Sequence, residues 1–497
     1  MPLSDFTYDL VIRDGTIGTS SDVFAADVGI IGETIVALGS NLAPGRREID
    51  ARGKFVLPGG VDAHAHVEQL SAAGIMNADT FESATRSAAF GGTTSVISFA
   101  AQHVGMDVRR VVTDYTALAK RGAMIDYAFH VIIADVTEKV LAEDIPALVK
   151  EGFSSIKIFM TYDRLRVEDE KLLDVLAAAR AAQALVCVHA ENHGLISWMA
   201  KRLIEKGYTA PKYHSVSHPG LSESEAFTRL IAFSELLDQP VMIFHVSTAE
   251  GAAVIREARG RGVKVFAETC PQYLFLEAAD LDKPGIEGAK WMCSPPTRTR
   301  RDQEALWLAL ELGDLQLISS DHAPYRFDGT GKLHAGPNPN FKQIANGLPG
   351  LETRLPLLFD AMISKGRLGI SKGRLGLSKF VELTASAPAR IYNLPKKGSI
   401  AVGNDADIAI WDPARSVKLS DSMMHDQAGF TPYAGRIVVG WPDTVLLRGR
   451  TLIDGERCHG RPGDGRLMLR AGGEAAMPSG RLVAEMDEAR NFGAKVI

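Results

Sequence analysis

FVLPGGVDAHAH, residues 55–66, reads as a buried strand that ends in two histidines. Side chains two residues apart lie on one face of a strand, so His64 and His66 can reach the same metal ion. Two hydrogen-bonded core histidines would leave the same pattern. The stretch therefore predicts the first strand of a larger sheet, with a candidate metal site at its end.

Further apolar segments follow, separated by helical segments such as 168–183, 222–237 and 249–261. The predicted strands end near His66, Phe99, Val131, Phe159, His189, Val246, Glu268 and Asp321. This alternation of strand and helix predicts an α/β fold, a (β/α)8 TIM barrel over residues 57–394. A doubly wound open sheet is the alternative, but no GxGxxG motif follows the first strand.

Both ends of the chain are rich in short β-like runs instead. Examples are Leu10–Ile12, Ile35–Leu38, Ala406–Trp411 and Thr444–Leu447. We therefore predict a small β-sandwich domain built from residues 1–56 and 395–460, followed by a C-terminal tail over 461–497. The repeat SKGRLG, at 364–369 and 371–376, fits a basic surface loop, and no function is assigned to it.

The composition disfavours several classes of protein. Of the 497 residues, 46% are hydrophobic and 23% are charged, and the formal charge is −5. No long block of one sign is present, so neither a nucleic-acid partner nor a membrane-surface partner is expected. No apolar run approaches the ~20 residues of a membrane span, and no signal peptide is evident. Four widely spaced cysteines fit reduced thiols, so we expect a soluble, cytoplasmic protein.

Three further residues of the metal-ligand type stand at predicted strand ends. His189 and His245 each end a strand, and Asp321 ends the eighth. Catalytic groups of a barrel lie at the carboxyl ends of its strands, so all three are expected to share one rim with His64 and His66. Taken singly, each histidine also fits a core residue, and the aspartate also fits a helix cap.

Lys157 is unusual because it lies within the apolar strand segment SSIKIFMTY, residues 154–162. Burying an unpaired ammonium is costly, and a protonated lysine cannot bind a metal. A lysine carbamylated by CO2 becomes an anion that can bridge two cations. The alternative is a lysine paired with a nearby aspartate or glutamate.

Taken together, these segments resemble the amidohydrolase superfamily and, within it, the hydantoinase/dihydropyrimidinase group. The matching stretches in the barrel are LPGGVDAHAH (57–66), FGGTTSVISF (90–99), SSIKIFMTY (154–162), VHAEN (188–192), FHVST (244–248), AETCPQYL (267–274), CSPP (293–296) and SSDHAPY (319–325). The resemblance continues through LTASAPARIYNL (383–394) and into the β domain in GSIAVGNDADIAIWD (398–412).

The resemblance implies a centre of two divalent metal ions, for which zinc suits the ligands while other ions stay open. The implied metal ligands are His64, His66 and Asp321 for one ion, His189 and His245 for the other, and carbamylated Lys157 as the bridge. A metal-bridging hydroxide would attack the ring carbonyl. Asp321 would take the proton and return it to the leaving nitrogen.

The resemblance also implies three substrate-binding residues. Tyr162 would act in catalysis by donating a hydrogen bond to the developing oxyanion. Backbone groups of Ser294 and Asn346 would hold the cyclic imide edge of the substrate. The alternatives are an ordinary loop aromatic for Tyr162, and turn residues beside Pro295 and Gly347 for the other two.

The resemblance predicts hydrolysis of a hydantoin or dihydropyrimidine ring, a small cyclic amide, to an N-carbamoyl amino acid. An allantoinase-like enzyme for another cyclic imide or ureide is the alternative, and a non-catalytic scaffold that has lost its metal ligands is a third hypothesis. Glu68 stands where dihydroorotase-like relatives carry an arginine that holds a carboxylate, which disfavours that activity. The polar pair Glu68-Gln69 leaves the identity of the ring open. Relatives often form tetramers, so a homotetramer is expected.

Overall fold

The computed structural model describes residues 7–71, 74–365 and 374–496. Its eight-stranded sheet is parallel throughout. Its strands, numbered one to eight along the chain, are Gly60–Asp62, Thr93–Ala101, Asp126–Ile132, Ser155–Phe159, Leu185–His189, Val241–Ile243, Val265–Thr269 and Leu317–Ile318. An isolated parallel bridge joins Ala65 to His322, beyond the ends of strands one and eight, and closes the barrel. The predicted (β/α)8 barrel is confirmed.

Helices lie between the strands and pack against their outer face. The α-helices are Phe81–Phe90, Val108–Gly122, Ile145–Lys150, Asp169–Ala182, His193–Glu205, Tyr213–Ser217, Gly220–Leu237, Ala249–Gly260, Pro271–Phe275, Arg300–Leu312, Arg354–Phe359, Arg374–Val381 and Ala387–Ile391. Three π-helical turns span Val140–Asp144, Asp360–Ser364 and Glu382–Ser386. The helical segments predicted over 168–183, 222–237 and 249–261 are confirmed to within a few residues. Within the described ranges, no helix combines the length and the apolar character needed to cross a bilayer.

Side-chain caps begin several of the helices that follow barrel strands. Thr80 accepts a hydrogen bond from the amide of Ser83, and Thr248 does the same for the amide of Gly251. Each cap satisfies a backbone donor that the first helical turn leaves unpaired. The caps therefore place each helix start directly after the loop that carries site residues.

Both ends of the chain form a second sheet of nine strands. Its strands are Tyr8–Gly18, Val23–Ile31, Thr34–Gly39, Gly45–Asp50, Phe55–Pro58, Ile408–Lys418, Ile437–Leu447, Arg450–Asp454 and Arg457–Cys458. Phe55–Pro58 pairs antiparallel with Ile408–Lys418, which joins the two chain ends. The predicted β-sandwich built from both ends is confirmed as an architecture.

The prediction of one continuous strand over 55–66 is wrong, because Gly59 moves the chain from one sheet to the other. Its amide donates to Asp407 O of the small sheet, whereas the amide of Gly60 donates to Gly92 O beside the barrel. A Cβ on Gly59 would lie 2.1 Å from Thr94 Oγ1, so only glycine fits this crossing. The quoted stretch therefore contributes a strand to each sheet.

The strand ends predicted near His66, Val246 and Asp321 are also too late along the chain. The ladders end at Asp62, Ile243 and Ile318. His245 and Asp321 have φ angles of 42° and 48°, a left-handed conformation that breaks a strand. These site residues therefore stand on short loops just beyond the strand ends.

The described part of the C-terminal tail packs against its own barrel. Leu467 and Arg470 form parallel bridges to Tyr127 and Phe153. The buried Arg470 guanidinium donates to Phe129 O at 2.6 Å and to Ser155 Oγ at 3.0 Å. The tail thus covers the amino-terminal end of the barrel, opposite the predicted catalytic rim.

The SKGRLG repeat falls largely outside the described residues, which omit 366–373. Its last residues, from Arg374, begin the helix Arg374–Val381.

Candidate metal centre and active-site cavity

Three of the predicted ligands form a tight group at the carboxyl end of the barrel. His64 Nε2 and His66 Nε2 lie 3.1 Å and 3.4 Å from Asp321 Oδ1. When one ligand atom is taken from each of these three residues, the three atoms all lie within 4.8 Å of one another. Two imidazole nitrogens and a carboxylate oxygen are a donor set that suits zinc and similar divalent ions.

Two further side chains fix which nitrogen of each histidine faces this centre. Glu268, fully buried, contacts His64 Nδ1 and accepts from Ser319 Oγ at 2.7 Å. Gln69 Oε1 lies 2.7 Å from His66 Nδ1. Because a carboxylate and an amide oxygen accept only, each Nδ1 donates its proton outward, and each Nε2 keeps a lone pair for a metal.

His189 and His245 lie on the neighbouring side of the same cavity, with ring centroids 4.3 Å apart. His189 Nε2 lies 2.9 Å from Glu191 Oε2, so His189 Nδ1 is the nitrogen with a free lone pair. His245 Nδ1 is buried and has no hydrogen-bond partner among the described residues. An unpaired buried nitrogen is costly, and a metal ion would satisfy it.

Lys157 lines the same cavity and is almost fully buried. Its Nζ lies 4.1 Å, 4.8 Å and 5.8 Å from the ring centroids of Phe244, Phe159 and Phe99. In the described ranges no carboxylate forms an ion pair with this ammonium, so the paired-lysine alternative has no partner. Burial lowers the pKa of Lys157 to about 7, despite opposing attraction from nearby acidic groups.

The titration of the centre follows from burial and from its two carboxylates. Burial alone would lower the pKa of His64, but Asp321 and Glu268 outweigh it and raise that pKa to about 9. Burial alone would raise the pKa of Asp321, yet the neighbouring histidines hold it well below 3.8. A proton between His64 and Asp321 occupies the place that a bound cation would take.

The cavity has a volume of about 470 Å³, which suits a small ring with a substituent. It contains all six predicted ligands and the three predicted substrate residues Tyr162, Ser294 and Asn346. The Tyr162 ring lies 5.0 Å from that of His189. Phe159 also lines the cavity, so it forms an aromatic wall there.

A buried lysine that the sequence analysis missed connects the two predicted substrate loops. Lys332 Nζ donates to Ala345 O at 2.9 Å and to Met292 O at 3.3 Å. These carbonyls directly precede Asn346 and the Cys293-Ser294 pair. No sequence signal marked Lys332, because it lies in an irregular loop without periodicity.

Glu268 and Glu191 were also missed as orienting residues. Glu191 stands two residues after His189, at the end of one strand, and Glu268 is the last residue but one of the strand Val265–Thr269. Their position was therefore a usable signal, since histidine ligands commonly donate their outer N–H to a carboxylate.

The backbone of the site is held in uncommon conformations. Tyr162 has φ 74°, beside the values of 42° and 48° at His245 and Asp321. A bulky residue at positive φ costs free energy and persists only where its surroundings impose it. The folded barrel therefore aims these three side chains into the cavity against local preference.

Glu68, part of the polar pair that left the identity of the ring open, does not line the cavity. Its Oε2 accepts from the Phe81 amide at 3.1 Å, at the start of the helix Phe81–Phe90. A carboxylate is favoured there by the unpaired amides and the helix dipole. Gln69 does line the cavity, but its amide oxygen is engaged with His66.

Comparisons with known proteins match this geometry. The Amidohydrolase family matches residues 55–452. A D-hydantoinase of Rhizobium radiobacter is 40% identical over 93% of this chain and 99% of its own. The crystal structure of a dihydropyrimidinase from Brevibacillus agri NCHU1002 is 38% identical with a TM-score of 0.89, covering 93% of this chain and 99% of its own. The L-hydantoinase structure from Arthrobacter aurescens is 26% identical with a TM-score of 0.81, covering 93% of this chain and 100% of its own.

The chain belongs to the amidohydrolase family. The predicted place within the hydantoinase/dihydropyrimidinase group is confirmed by the near-complete coverage of these relatives.

Proposed function

We propose that this chain is a metal-dependent cyclic amidase that opens a hydantoin or dihydropyrimidine ring to an N-carbamoyl amino acid. The convergence of His64, His66 and Asp321 at the mouth of the barrel is the observation that carries the proposal. The D-hydantoinase and dihydropyrimidinase names of its relatives support the same reaction. Membership of the amidohydrolase family implies a divalent metal.

We further propose a pair of ions, with zinc as the metal and a CO2-derived carbamate on Lys157 as the bridge. The residues present fit such a pair. His245 Nδ1 is buried without a partner among the described residues. The outer nitrogens of His64, His66 and His189 contact Glu268, Gln69 and Glu191, which leaves the other nitrogen of each ring free to bind a metal. The buried Lys157 amine lacks a counter-ion within the described ranges, and a carbamate would remove that cation from the cavity. Both ligand groups face one cavity.

When bound, the ions supply Lewis acidity and a water that ionises near neutral pH. Asp321, held as a carboxylate by the histidines, accepts the proton of the attacking water and passes it to the leaving ring nitrogen. Tyr162 donates its hydroxyl to the oxygen of the attacked carbonyl, where negative charge develops. Backbone groups of Ser294 and Asn346 hold the imide edge and orient the ring.

A panel of substrates tests this function. We expect purified enzyme to open hydantoin, 5-substituted hydantoins or dihydrouracil, with the N-carbamoyl amino acid detected by mass spectrometry. Allantoin and a plain cyclic imide are assayed side by side as the competing substrates. Hydrolysis of only these last two would contradict the proposal and favour the allantoinase-like alternative, while no hydrolysis by metal-loaded protein would favour a scaffold.

The homotetramer and the division into residues 1–56 plus 395–460, 57–394 and 461–497 are further proposals. They rest on the resemblance and on two separate hydrophobic clusters, one inside the barrel and one on a face of the second sheet. Light scattering with size exclusion should give four chains per particle, and a monomer would refute the tetramer. A cytoplasmic location is proposed with them, and cell fractionation would test it.

A further inference from the structure

His130, on the third barrel strand, is fully buried inside the barrel and has no role in the proposed reaction. The rings of Phe99 and Phe244 contact it, with centroids 5.4 Å and 5.6 Å from its own. The same two rings contact His64, at 5.1 Å and 4.2 Å. His130 therefore lies beneath the candidate metal centre, separated from it by two aromatic side chains.

The Nε2 atom of His130 holds the peptide group that precedes His64. It lies 2.9 Å from Ala63 O. A carbonyl oxygen can only accept, so Nε2 carries the proton and donates it. Ala63 O has no other hydrogen-bond donor in the described ranges. Because Ala63 is bonded to His64, this hydrogen bond fixes the backbone from which that predicted metal ligand projects.

The other nitrogen of His130 is an acceptor, and the C-terminal tail determines this. His130 Nδ1 lies 2.7 Å from Ser155 Oγ. Arg470 of the tail, whose guanidinium has only donors, gives an N–H to the same oxygen at 3.0 Å. The Ser155 hydroxyl is thereby left to donate to Nδ1. Burial and the nearby Arg470 charge hold the pKa of His130 well below 6.5, so the ring is neutral, as this chain of donors requires.

Arg470 occupies its position at a cost in stability. The residue is 1% exposed, and in the part of the chain that the structure describes its guanidinium forms no ion pair with a carboxylate. Its Nε and Nη1 are buried there without a hydrogen-bond partner, and burial lowers its pKa to about 10. An apolar side chain would close this end of the barrel at a lower cost. Among the described side chains, the one that accepts from Arg470 is Ser155, which indicates a polar task there.

We propose that His130 is a positioning residue for the metal ligand His64. Arg470 of the C-terminal tail acts through Ser155 to fix the proton that His130 donates. The tail, at the amino-terminal end of the barrel, thereby contributes to metal binding at the opposite end. This inference rests on the proposed function, because it concerns the metal centre of that same site, but metal affinity is measured without any substrate.

Two variants of His130 separate a lost hydrogen bond from a disturbed fold. His130→Leu has no donor and leaves Ala63 O unpaired, whereas His130→Gln places an amide N–H near the position of Nε2. We expect the Kd for Zn2+, measured by competition with a chelator, to rise about tenfold in His130→Leu. His130→Gln should stay close to wild type. An unchanged Kd in His130→Leu, or equal losses in both variants, would overturn the positioning role.

A double-mutant cycle tests the part played by Arg470. Arg470→Met alone should raise the Kd for Zn2+ about fivefold, because Ser155 Oγ is then free to accept the His130 proton instead. In the His130→Gln background the same change should have no further effect, because an amide carries its N–H whatever its neighbours donate. Effects that simply add in the double variant would show that Arg470 acts by packing and would overturn its proposed role.

Ser479→Ala is the matched control in the tail. It removes the hydrogen bond from Ser479 Oγ to Asp238 Oδ1, 2.6 Å long, at the end of an outer helix. Its Kd for Zn2+ should equal that of wild type, and a rise like that of Arg470→Met would overturn the specific role of Arg470. Melting curves show that each variant is folded. If the Zn2+ results are as expected but wild type opens no cyclic amide, the positioning role stands and the proposed reaction is wrong.

Discussion

Replacing Lys332 with methionine is expected to weaken substrate binding while leaving the metal centre intact. Methionine is similar in length but cannot donate to Ala345 O and Met292 O, which Lys332 holds at 2.9 Å and 3.3 Å. Met292 O keeps a second donor, the Gly347 amide at 3.0 Å. Ala345 O has no other hydrogen-bond donor in the described ranges.

The expected magnitude follows from that single orphaned carbonyl. An unpaired buried acceptor costs about 1–3 kcal/mol. Removing an ammonium that is buried without a carboxylate partner offsets part of this cost, since burial already lowers the pKa of Lys332 to about 7. Global stability should therefore change little, by about 1 kcal/mol or less. The loop before Asn346 becomes mispositioned, and a loss of about 1.4 kcal/mol in binding corresponds to a tenfold rise in KM.

Steady-state kinetics, metal analysis and thermal unfolding of Lys332→Met test this reasoning together. KM should rise about tenfold, with metal content and Tm close to wild type. Lys171→Met, an exposed helix position on the outside of the barrel, is the control and should change none of these values. An unchanged KM in Lys332→Met would refute a clamping role, and loss of the bound metal would show that the residue acts on the centre instead.

Three further variants probe other parts of the site and fold. Tyr162→Phe should lower kcat by about 10²–10³ with the metals retained, because the hydroxyl acts on charge that develops only in the transition state; an unchanged kcat would remove Tyr162 from the mechanism. Glu268→Gln should weaken metal affinity about 10–100-fold through the loosened His64 ring, measured by competition with a chelator; wild-type affinity would count against this orienting role. Lys397→Met should reduce the free energy of unfolding, measured by urea titration, by about 3–5 kcal/mol. The reason is that Asp126, which lies 2.6 Å from Lys397 Nζ, would stay buried beside fewer cations. A reduction below about 1 kcal/mol would contradict this reasoning. The folded pKa of Asp126 is lowered from 3.8 because its cations outweigh burial, so its stabilisation is present above pH 3.8 and is lost as the pH falls through the folded value.

The alternation of apolar strands and helices was enough to predict the barrel, and the residue types at strand ends were enough to predict which side chains meet in one cavity. His64, His66 and Asp321 illustrate why: the carboxyl ends of parallel strands meet at one rim, so residues distant in sequence converge there. The same logic brought His189, His245 and Lys157 into one cavity. Their proposed roles follow from that convergence.

Features that depend on local backbone geometry could not be predicted. The left-handed turns at His245 and Asp321 end strands earlier than apolar patterning indicates, because periodicity carries no information on φ. Glu68 shows the same limit for side chains, because its sequence position does not reveal that its carboxylate accepts from the Phe81 amide at the start of a helix. Lys332 becomes informative only when its hydrogen-bond partners, which are distant in sequence, are known.

Elemental analysis of the purified wild-type chain beside Lys157→Ala tests the central claim most directly. The account predicts two divalent ions in each wild-type chain, with metal and activity lost together in Lys157→Ala. Added short-chain carboxylic acids should restore part of both, because they can replace the missing bridge. Full metal content and full activity in Lys157→Ala, or a wild-type enzyme that is active with no metal, would contradict the account.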